Sequence, residues 1–240
     1  TFIPLNSLPI PSGKHIIGTV QYHWKDSSRE EWFSNEDPND FREIMVQVWY
    51  PSDENPTFPP NPYMDNLGLR IPEFSKQIGL PQFMINHITQ ISTHSYQDIQ
   101  FSKKEDFPVI IFSHGLGGMR VQNTAYVEEL VSHGFVVIAM DHTFDANITI
   151  FPNGQIKNYD SNLPKDIKDK NEAFQIRYKQ LDTRTKDVTF VLNKMGKLNN
   201  NPSHFFFNKL NLENVGIFGH SFGGATSVSA LFNDSRITSG

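Results

Sequence analysis

A serine between glycines is the residue of this sequence with the clearest capacity for chemistry. Ser221 lies in the run Gly-His-Ser-Phe-Gly at 219–223, after the apolar segment Val215–Phe218 and before a helical pattern at Gly224–Phe232. A Gly-x-Ser-x-Gly run between a strand and a helix is typical of the nucleophile elbow, whose tight turn excludes large flanking side chains. The pattern predicts a serine nucleophile at a helix N-terminus, with the backbone amide of Phe222 directed at the reacting carbonyl.

A second glycine-rich run, His-Gly-Leu-Gly-Gly at 114–118, follows the apolar segment Phe107–Phe112. In α/β-hydrolases, an amide from the loop after such a strand completes the oxyanion hole together with the residue that follows the nucleophile. Leu116 and Phe222 are therefore the expected donors, and one such donor contributes about 3 kcal/mol to transition-state stabilisation. The two runs together predict acyl transfer through a tetrahedral intermediate.

Four residues near these runs are expected to contact substrate: His114, Gly115, His142 and His220. Each histidine also has a structural alternative, since buried polar side chains are normally hydrogen-bonded. On that alternative His114 orders the oxyanion loop, His142 makes a structural hydrogen bond at a strand end, and His220 packs beside the elbow. No histidine spacing in the chain is typical of a metal site, and no cofactor is expected.

The base and the acid that a serine nucleophile requires are not evident in the sequence. In this fold they follow the serine in the order Asp or Glu, then His. The nineteen residues after Ser221 include no histidine, and their one acid, Asp234, follows the next helix rather than a strand. Residues Arg236–Gly240 are typical of the approach to another strand. We therefore expect the chain to stop within a domain, before its acid and base.

Apolar segments that alternate with helical patterns are expected to position these residues. Phe107–Phe112, Phe135–Met140 and Val215–Phe218 are wholly apolar, as in strands of a parallel sheet covered on both faces, and each ends in polar or glycine residues. Ligands bind at the carboxyl ends of such strands, which places Asp141–His142 near the other runs. The sequence predicts one α/β-hydrolase domain over 1–240, with a mostly parallel sheet, helices on both faces and an incomplete C-terminus.

Two helices are predicted between these strands. Asn123–His133 is followed by Gly134, a common helix stop. Glu172–Met195 has residues at three- and four-residue steps that predict its core face, with its charges on the solvated face and Gly196 as its end; they are Phe174, Tyr178, Leu181, Thr185, Val188, Leu192 and Met195.

The N-terminal part adds two strands and a third helical segment. The strands are Ile16–Trp24 and Ile44–Tyr50, the second ended by Pro51. The helical segment is Pro72–Ile91, with an interruption at Pro81.

Composition excludes several classes of protein. The 240 residues are 38% hydrophobic and 20% charged, a globular balance, and the net charge of −5 without basic blocks argues against a nucleic-acid partner. The absence of cysteine excludes disulfides and a thiol nucleophile. The longest apolar stretches are too short to span a bilayer. Thr1, in place of a methionine, is compatible with a processed or truncated start.

Motifs spread over most of the chain match one known family. They are Leu8–Gly13, Ile17–Thr19, Val46–Pro51 (Val-Gln-Val-Trp-Tyr-Pro), Thr93–His94, Phe112–Gly117, Ser132–Phe135, Asp141–His142 and Gly219–Thr226. In these segments the chain resembles the platelet-activating factor acetylhydrolases of the plasma lipoprotein-associated type, particularly their bacterial relatives.

The resemblance implies a calcium-independent serine esterase that removes short or oxidised acyl chains from the sn-2 position of phospholipids. Ser221 would be the nucleophile, and Leu116 and Phe222 the oxyanion donors. The apolar segment Phe74–Ile91 would help to form a lipid-facing surface, with transient lipid-surface contact. The acid would be expected a few residues past Gly240, and the resemblance favours a secreted or extracytoplasmic protein.

Two alternatives stay open at this stage. One is a general carboxylesterase or polyester-type hydrolase on the same fold, which relative rates on short-acyl phospholipids and aryl acetates would distinguish. The other is a non-catalytic binding protein with a hydrolase fold, which a stop codon directly after Gly240 would favour.

Overall fold

The computed structural model describes residues 7–34, 40–104, 106–164 and 167–240, so Thr1 lies outside the described chain. The strands in these ranges are β1 Ile16–Glu30, β2 Phe41–Ser52, β3 Ser95–Gln97, β4 Phe107–Ser113, β5 Val136–Asp141, β6 Ile148–Ile150, β7 Ile156–Asn158, β8 Leu210–Gly219 and β9 Ile237–Ser239. The α-helices are α1 Leu67–Ile78, α2 Gln82–Ile85, α3 Thr124–Ser132, α4 Lys170–Asn199 and α5 Phe222–Asn233, and a short 3₁₀ helix covers Asn86–Gln90.

Seven of the strands form one sheet in the order β3-β1-β2-β5-β4-β8-β9. Strands β5, β4, β8 and β9 are parallel neighbours, whereas β2 is antiparallel to both β1 and β5. The parallel part therefore brings the carboxyl ends of β4, β5 and β8 to one edge of the sheet. β6 and β7 form a separate antiparallel pair.

Helices cover both faces of this sheet, as predicted. In β5, Val136, Ile138 and Met140 pack in the core cluster that includes α4 and α5, whereas Val137 and Ala139 pack in the cluster that includes α3. This division follows from the two-residue side-chain period of a strand. Because both faces are buried, β5 needs apolar residues from Val136 to Met140, which is why its sequence shows no polar alternation before Asp141.

The N-terminal strands are longer than predicted. β1 continues past Trp24 and β2 past Tyr50, because the two strands pair as long antiparallel arms from Ile16↔Ser52 to Glu30↔Phe41. The prediction that Pro51 ends β2 is wrong, since Pro51 pairs with Ile17. β5 pairs with β2 only as far as Trp49, so at Pro51 the strand has a sheet neighbour on one side only, where proline is tolerated.

Two helix ends also differ from the predictions. Gly196 does not end α4, which continues to Asn199, because its buried neighbour Met195 keeps this turn packed on the core. The segment Pro72–Ile91 is not one interrupted helix. It starts earlier, at Leu67, and Gly79 ends α1 with a φ of 68°, so that α2 and the 3₁₀ helix follow as separate turns.

The inward face of α4 is the largest departure from the predicted pattern. Arg184 and Asp187 are fully buried, as is Gln180, whereas Phe174 and Tyr178 are about three-fifths exposed at 62% and 61%. The prediction that the charges of this helix are solvated is therefore wrong for its central turns. These turns cross the polar carboxyl ends of β4 and β5, which require charged partners rather than apolar ones.

No helix in the described ranges combines the length and apolarity needed to cross a membrane.

Candidate active site

Ser221 stands at the turn between β8 and α5 in a strained backbone conformation. Its φ is 54° and its ψ −119°, values that L residues other than glycine seldom adopt. The turn is tight because a Cβ at Gly219 would lie 2.2 Å from the carbonyl of Gly223, and one at Gly223 would lie 1.9 Å from the carbonyl oxygen of Ser113. Ser221 itself is exposed. The sequence thus folds here into an elbow that presents the serine hydroxyl to solvent.

The glycine-rich run after β4 packs directly against this elbow. A Cβ at Gly115 would lie 3.3 Å from Cβ of Ser221 and 3.0 Å from Nδ1 of His220. Neither the amide of Leu116 nor that of Phe222 donates a hydrogen bond to any atom of the described residues. The structure therefore brings together the nucleophile and two free amides, which is the arrangement required for stabilising an oxyanion.

His220 and Gly115 lie at this site, but His114 and His142 do not reach it. Both of the latter are fully buried behind the loop, with no exposed surface. Direct substrate contact by His114 or His142 is therefore excluded in this structure. His220 is exposed, and Nε2 of Gln122 donates to its Nδ1 at 3.0 Å.

A buried hydrogen-bonded chain occupies the position of the two histidines. Ser113 Oγ lies 3.0 Å from His142 Nε2, and His142 Nδ1 lies 2.9 Å from a carboxylate oxygen of Asp187. An ionised carboxylate only accepts hydrogen bonds, so Nδ1 carries the proton and Nε2 accepts from Ser113. Arg42 donates to both carboxylate oxygens of Asp187, at 3.1 and 2.8 Å.

The electrostatics of this chain agree with a neutral histidine beside an ionised aspartate. Burial lowers the pKa of His142 well below its ordinary value, and the nearby Arg184 charge lowers it further. Burial opposes ionisation of Asp187, but the Arg42 charge and the hydrogen bond from His142 outweigh it and hold the pKa of Asp187 well below its usual range. At neutral pH the pair is thus a neutral histidine hydrogen-bonded to an ionised aspartate, an arrangement suited to a structural role.

A second buried ionic cluster fixes Arg120, two residues after the oxyanion loop. The amide of Arg120 donates to Asp141 at 2.7 Å, and its guanidinium donates to Asp141 and to Asp65. Arg70 of α1 donates to Asp65 at 2.8 Å. Burial opposes ionisation of Asp65, but the Arg120 and Arg70 charges lower its pKa below the ordinary value. The cluster ties α1 and β5 to the chain beside the site.

A cavity of about 740 Å³ opens at Ser221. Its apolar wall comes from α1 and the 3₁₀ helix, including Phe74, Ile78 and Ile88. Gln77 and Gln122 also line the cavity, and Gln77 Nε2 donates to the carbonyl of Gly117 at 3.0 Å. Four apolar residues of the segment predicted to face lipid, Phe74, Ile78, Ile88 and Ile91, thus line the cavity that contains the serine.

The described residues assign neither a base nor an acid to Ser221. Within these ranges, Ser221 Oγ has no hydrogen-bond partner, and Asp234 is engaged with Arg236 at 2.8 and 2.6 Å and with Thr189 at 3.0 Å. The described parts of the chain also contain no cluster of three or more His, Asp or Glu side chains placed to hold a metal ion.

Sequence reasoning did not find Arg184, Asp187 or Ser113. A signal was present, because Gln180, Arg184, Asp187 and Val191 recur at steps of four, three and four residues, which is a helical stripe like the apolar one beside it. Sequence alone favours the apolar stripe as the inward face, because burying charges is costly unless they are paired. Their partners lie far away in sequence and only the fold brings them together.

The sheet order and the strained serine between β8 and α5 define an α/β-hydrolase. A solved structure, the ferulic acid esterase from Streptomyces cinnamoneus, matches with a TM-score of 0.73 and 26% identity, over 96% of this chain and 59% of its own. The family model for platelet-activating factor acetylhydrolase, isoform II, matches residues 6–240. The chain therefore belongs to this family, and the resemblance inferred from its motifs is confirmed.

Curated relatives support the same family. A platelet-activating factor acetylhydrolase from Canis lupus familiaris is 28% identical over 82% of this chain and 48% of its own length. One from Gallus gallus is 26% identical over 97% and 58%, and a probable 1-alkyl-2-acetylglycerophosphocholine esterase from Arthroderma benhamiae is 26% identical over 97% and 57%. The chain thus spans about half the length of the curated relatives it matches.

Proposed function

We propose that the protein is a serine ester hydrolase that acts through an acyl-enzyme on Ser221. The observation that carries the proposal is the strained, exposed serine with the two unpartnered amides of Leu116 and Phe222 beside it. Such a site stabilises negative charge on a carbonyl oxygen, and it does so without reorganisation during the reaction. The family of the chain supports the same reaction.

In the proposed mechanism, Ser221 Oγ attacks the ester carbonyl carbon and its proton passes to a general base. The carbonyl oxygen becomes an oxyanion and accepts hydrogen bonds from the amides of Leu116 and Phe222. The intermediate collapses, the ester C–O bond breaks, and the alcohol leaves with the proton. Water then attacks the acyl-enzyme by the same route and releases the acid. In this fold the base is a histidine oriented by a carboxylate, both later in the chain than the serine.

Phospholipids with a short or oxidised sn-2 acyl chain are the proposed substrates. The names of the curated relatives favour this class, and the cavity has an apolar wall at Phe74, Ile78 and Ile88 beside polar groups near Ser221. His220 and Gly115 are the residues proposed to lie against the bound ester.

A transient lipid-surface contact is proposed next to the cavity. Five apolar side chains there are exposed and form what we term the α1–α2 surface: Leu69, Ile78, Leu80, Phe83 and Met84. Phe83 is the most exposed of them at 77%. An apolar patch beside a cavity suits an enzyme that takes its substrate from a lipid layer.

Aryl ester hydrolysis is the second candidate, since the solved relative with a TM-score of 0.73 is named a ferulic acid esterase. The test uses the purified protein at its full natural length, with Ser221→Ala as control. We expect faster hydrolysis of a 2-acetyl phospholipid than of an aryl acetate or a ferulate ester. Preference for the ferulate ester would favour the second candidate. No turnover of any ester, with phospholipid still bound, would favour a binding protein.

A further inference from the structure

We propose that Arg184 is a positioning residue that orients both donors of the oxyanion hole, the amides of Leu116 and Phe222, from its buried position on α4. The inference rests on the proposed function, because it concerns how that same site is built. Arg184 lies on α4, is fully buried, and does not line the cavity. Its effect on catalysis must therefore pass through other residues.

The two contacts of the guanidinium reach the two donors by different routes. Nη2 of Arg184 donates to the carbonyl oxygen of His114 and, at 3.1 Å, to Ser113 Oγ. The guanidinium carbon lies 5.3 Å from the centre of the Phe222 ring, within the range of a cation–π contact. One side chain thus contacts both His114, where the oxyanion loop starts, and Phe222, which carries the other donor amide.

The contact at His114 determines where the amide of Leu116 points. His114 Nε2 accepts from the backbone amide of His142 at 3.0 Å, so its proton is on Nδ1, which donates to the carbonyl of Gly115 at 2.6 Å. The amide of Gly118 donates to the same carbonyl at 2.9 Å. In a trans peptide the C=O and the following N–H point in opposite directions. With the Gly115 carbonyl held inward, the Leu116 amide is directed out of the loop.

Arginine is suited to this position in a way that lysine is not. Its planar guanidinium can stack on an aromatic ring while an edge nitrogen donates in the plane, whereas an ammonium is a point charge. The position is unfavourable for stability. Nε and Nη1 of Arg184 have no hydrogen-bond partner in the described residues, and Nη1 lies 3.6 Å from a carboxylate oxygen of Asp145. Burial lowers the pKa of Arg184 to about 10.

The test compares Arg184→Met and Arg184→Lys in the protein at its full natural length. We expect kcat for a short-acyl ester to fall by about 100- to 1,000-fold, the range for loss of one oxyanion donor, with KM changed less than about threefold. Phosphonylation of Ser221 by a phosphonate that mimics the tetrahedral intermediate should slow in proportion. The carbonyl stretch of the acyl-enzyme should move to higher frequency in the infrared spectrum, because the hydrogen bonds to that oxygen weaken.

Glu128→Met is the matched control, since Glu128 is also a fully buried charged residue of a helix, α3, but accepts a hydrogen bond from the backbone amide of His94 at 2.8 Å and does not line the cavity. We expect it to lower Tm and to leave kcat within about threefold and the carbonyl stretch unmoved. A purely structural role for Arg184 would give the same pattern as Glu128→Met, and that result would overturn the proposal.

Two further variants keep the test decisive if Arg184→Met fails to fold or if the proposed function is wrong. If Arg184→Met does not fold, Arg184→Lys, which keeps the charge, decides the question, and wild-type kcat and carbonyl stretch in that variant would refute the positioning role. Ser221→Ala separates the two proposals: if it keeps its activity, the proposed function fails. If it is inactive while folded Arg184 variants turn over normally, only the positioning role fails.

Discussion

Two serines stand at the ends of neighbouring parallel strands, and their surroundings are opposite. Ser113 ends β4, and Ser221 follows Gly219, the residue that pairs with Ser113 across the sheet. Ser113 is buried and has a histidine and an aspartate behind it in the connectivity of a catalytic triad. Ser221 is exposed and strained, and in the described ranges its oxygen has no partner.

The difference shows that the connectivity of a triad does not define an active site. No substrate can reach Ser113, whose oxygen also accepts a hydrogen bond from Arg184, and its histidine is held neutral by burial. Ser221 has access, two free amides and an adjacent cavity. We therefore expect the reaction to take place at Ser221 and the buried chain to stabilise the structure around it.

The largest expected effect separates the two serines directly. Ser221→Ala should lower kcat by about a million-fold, as removal of a nucleophile does in serine hydrolases. Ser113→Ala should lower it less than about tenfold. Both are measured by steady-state hydrolysis of a short-acyl ester by the full-length protein. Loss of activity in Ser113→Ala with retention in Ser221→Ala would reverse the assignment.

The close packing of the Ser221 elbow on the end of β4 at Ser113 is tested by substitutions at two glycines of α5, Gly223 and Gly224. In Gly223→Ala the new Cβ would meet the Ser113 carbonyl at 1.9 Å, whereas in Gly224→Ala the nearest atom, the Gly219 carbonyl oxygen, is 3.7 Å away. We expect Gly223→Ala to lower kcat/KM by about 100-fold, the effect of a misplacement of about 1 Å, and to destabilise the fold. Gly224→Ala should do neither. Equal activity and Tm in the two variants would show that the elbow is not tight.

The buried chain should matter more for folding than for turnover. Asp187→Asn removes the carboxylate that binds Arg42 through two nitrogens and leaves Glu31 as the other acidic partner of Arg42. Breaking a buried ion pair costs about 3–5 kcal/mol. Asp182→Asn, in an exposed pair with Lys186 on the same helix, should cost about 0.5 kcal/mol or less. Urea unfolding measures both. A similar decrease in the free energy of unfolding of the two variants would mean that the buried Asp187 cluster contributes no more to stability than an exposed ion pair.

The pH dependence of stability gives a smaller effect at the same place. Burial and the Arg184 charge lower the pKa of His114 to about 3, against about 6.5 in an unfolded chain. Between these values the unfolded chain binds a proton that the folded chain does not. Stability is therefore complete above about pH 6.5 and falls as the pH decreases towards 3.

His114→Asn should remove this contribution while its amide can still donate to the Gly115 carbonyl. We expect the free energy of unfolding of the wild type to fall more steeply with decreasing pH, by up to about 1.4 kcal/mol per pH unit for one proton. Unfolding curves from pH 7 to pH 4 test this expectation. Parallel curves for the two proteins would contradict it.

The smallest expected effect lies at the open side of the Ser221 region. Phe83→Ser on the α1–α2 surface should raise the apparent KM for phospholipid vesicles about fivefold, a loss of roughly 1 kcal/mol of apolar contact. Hydrolysis of a soluble aryl acetate should not change. Phe232→Ser, equally an exposed phenylalanine but on α5, is the control and should leave both substrates unaffected. An equal change in the two variants would argue against a lipid-contact role for the α1–α2 surface.

The sequence predicted those parts of the molecule whose causes are local. Strands β4, β5 and β8 follow from continuous apolar segments, and the elbow from glycines beside Ser221. The polar stripe of α4 was not predictable in the same way, because Arg184 and Asp187 are buried only through partners at 113–114 and Arg42, distant in the chain. The apolar period that placed Phe174 and Tyr178 inward is correct from Val188 onward, where α4 packs on apolar strands rather than on their polar ends.

The polar stripe of α4 also sets a limit on engineering. Replacing a buried ionic cluster with apolar residues of similar volume is often neutral or stabilising. A redesign for thermostability that replaced the whole cluster, positions 180, 184 and 187 together with their partners Arg42, Glu31 and Asp145, would therefore be rewarded by a higher melting temperature while it removed the proposed support of the oxyanion loop. Screens that select on heat resistance alone would accumulate folded, inert proteins from this scaffold, and directed evolution of its members should select on turnover at every round.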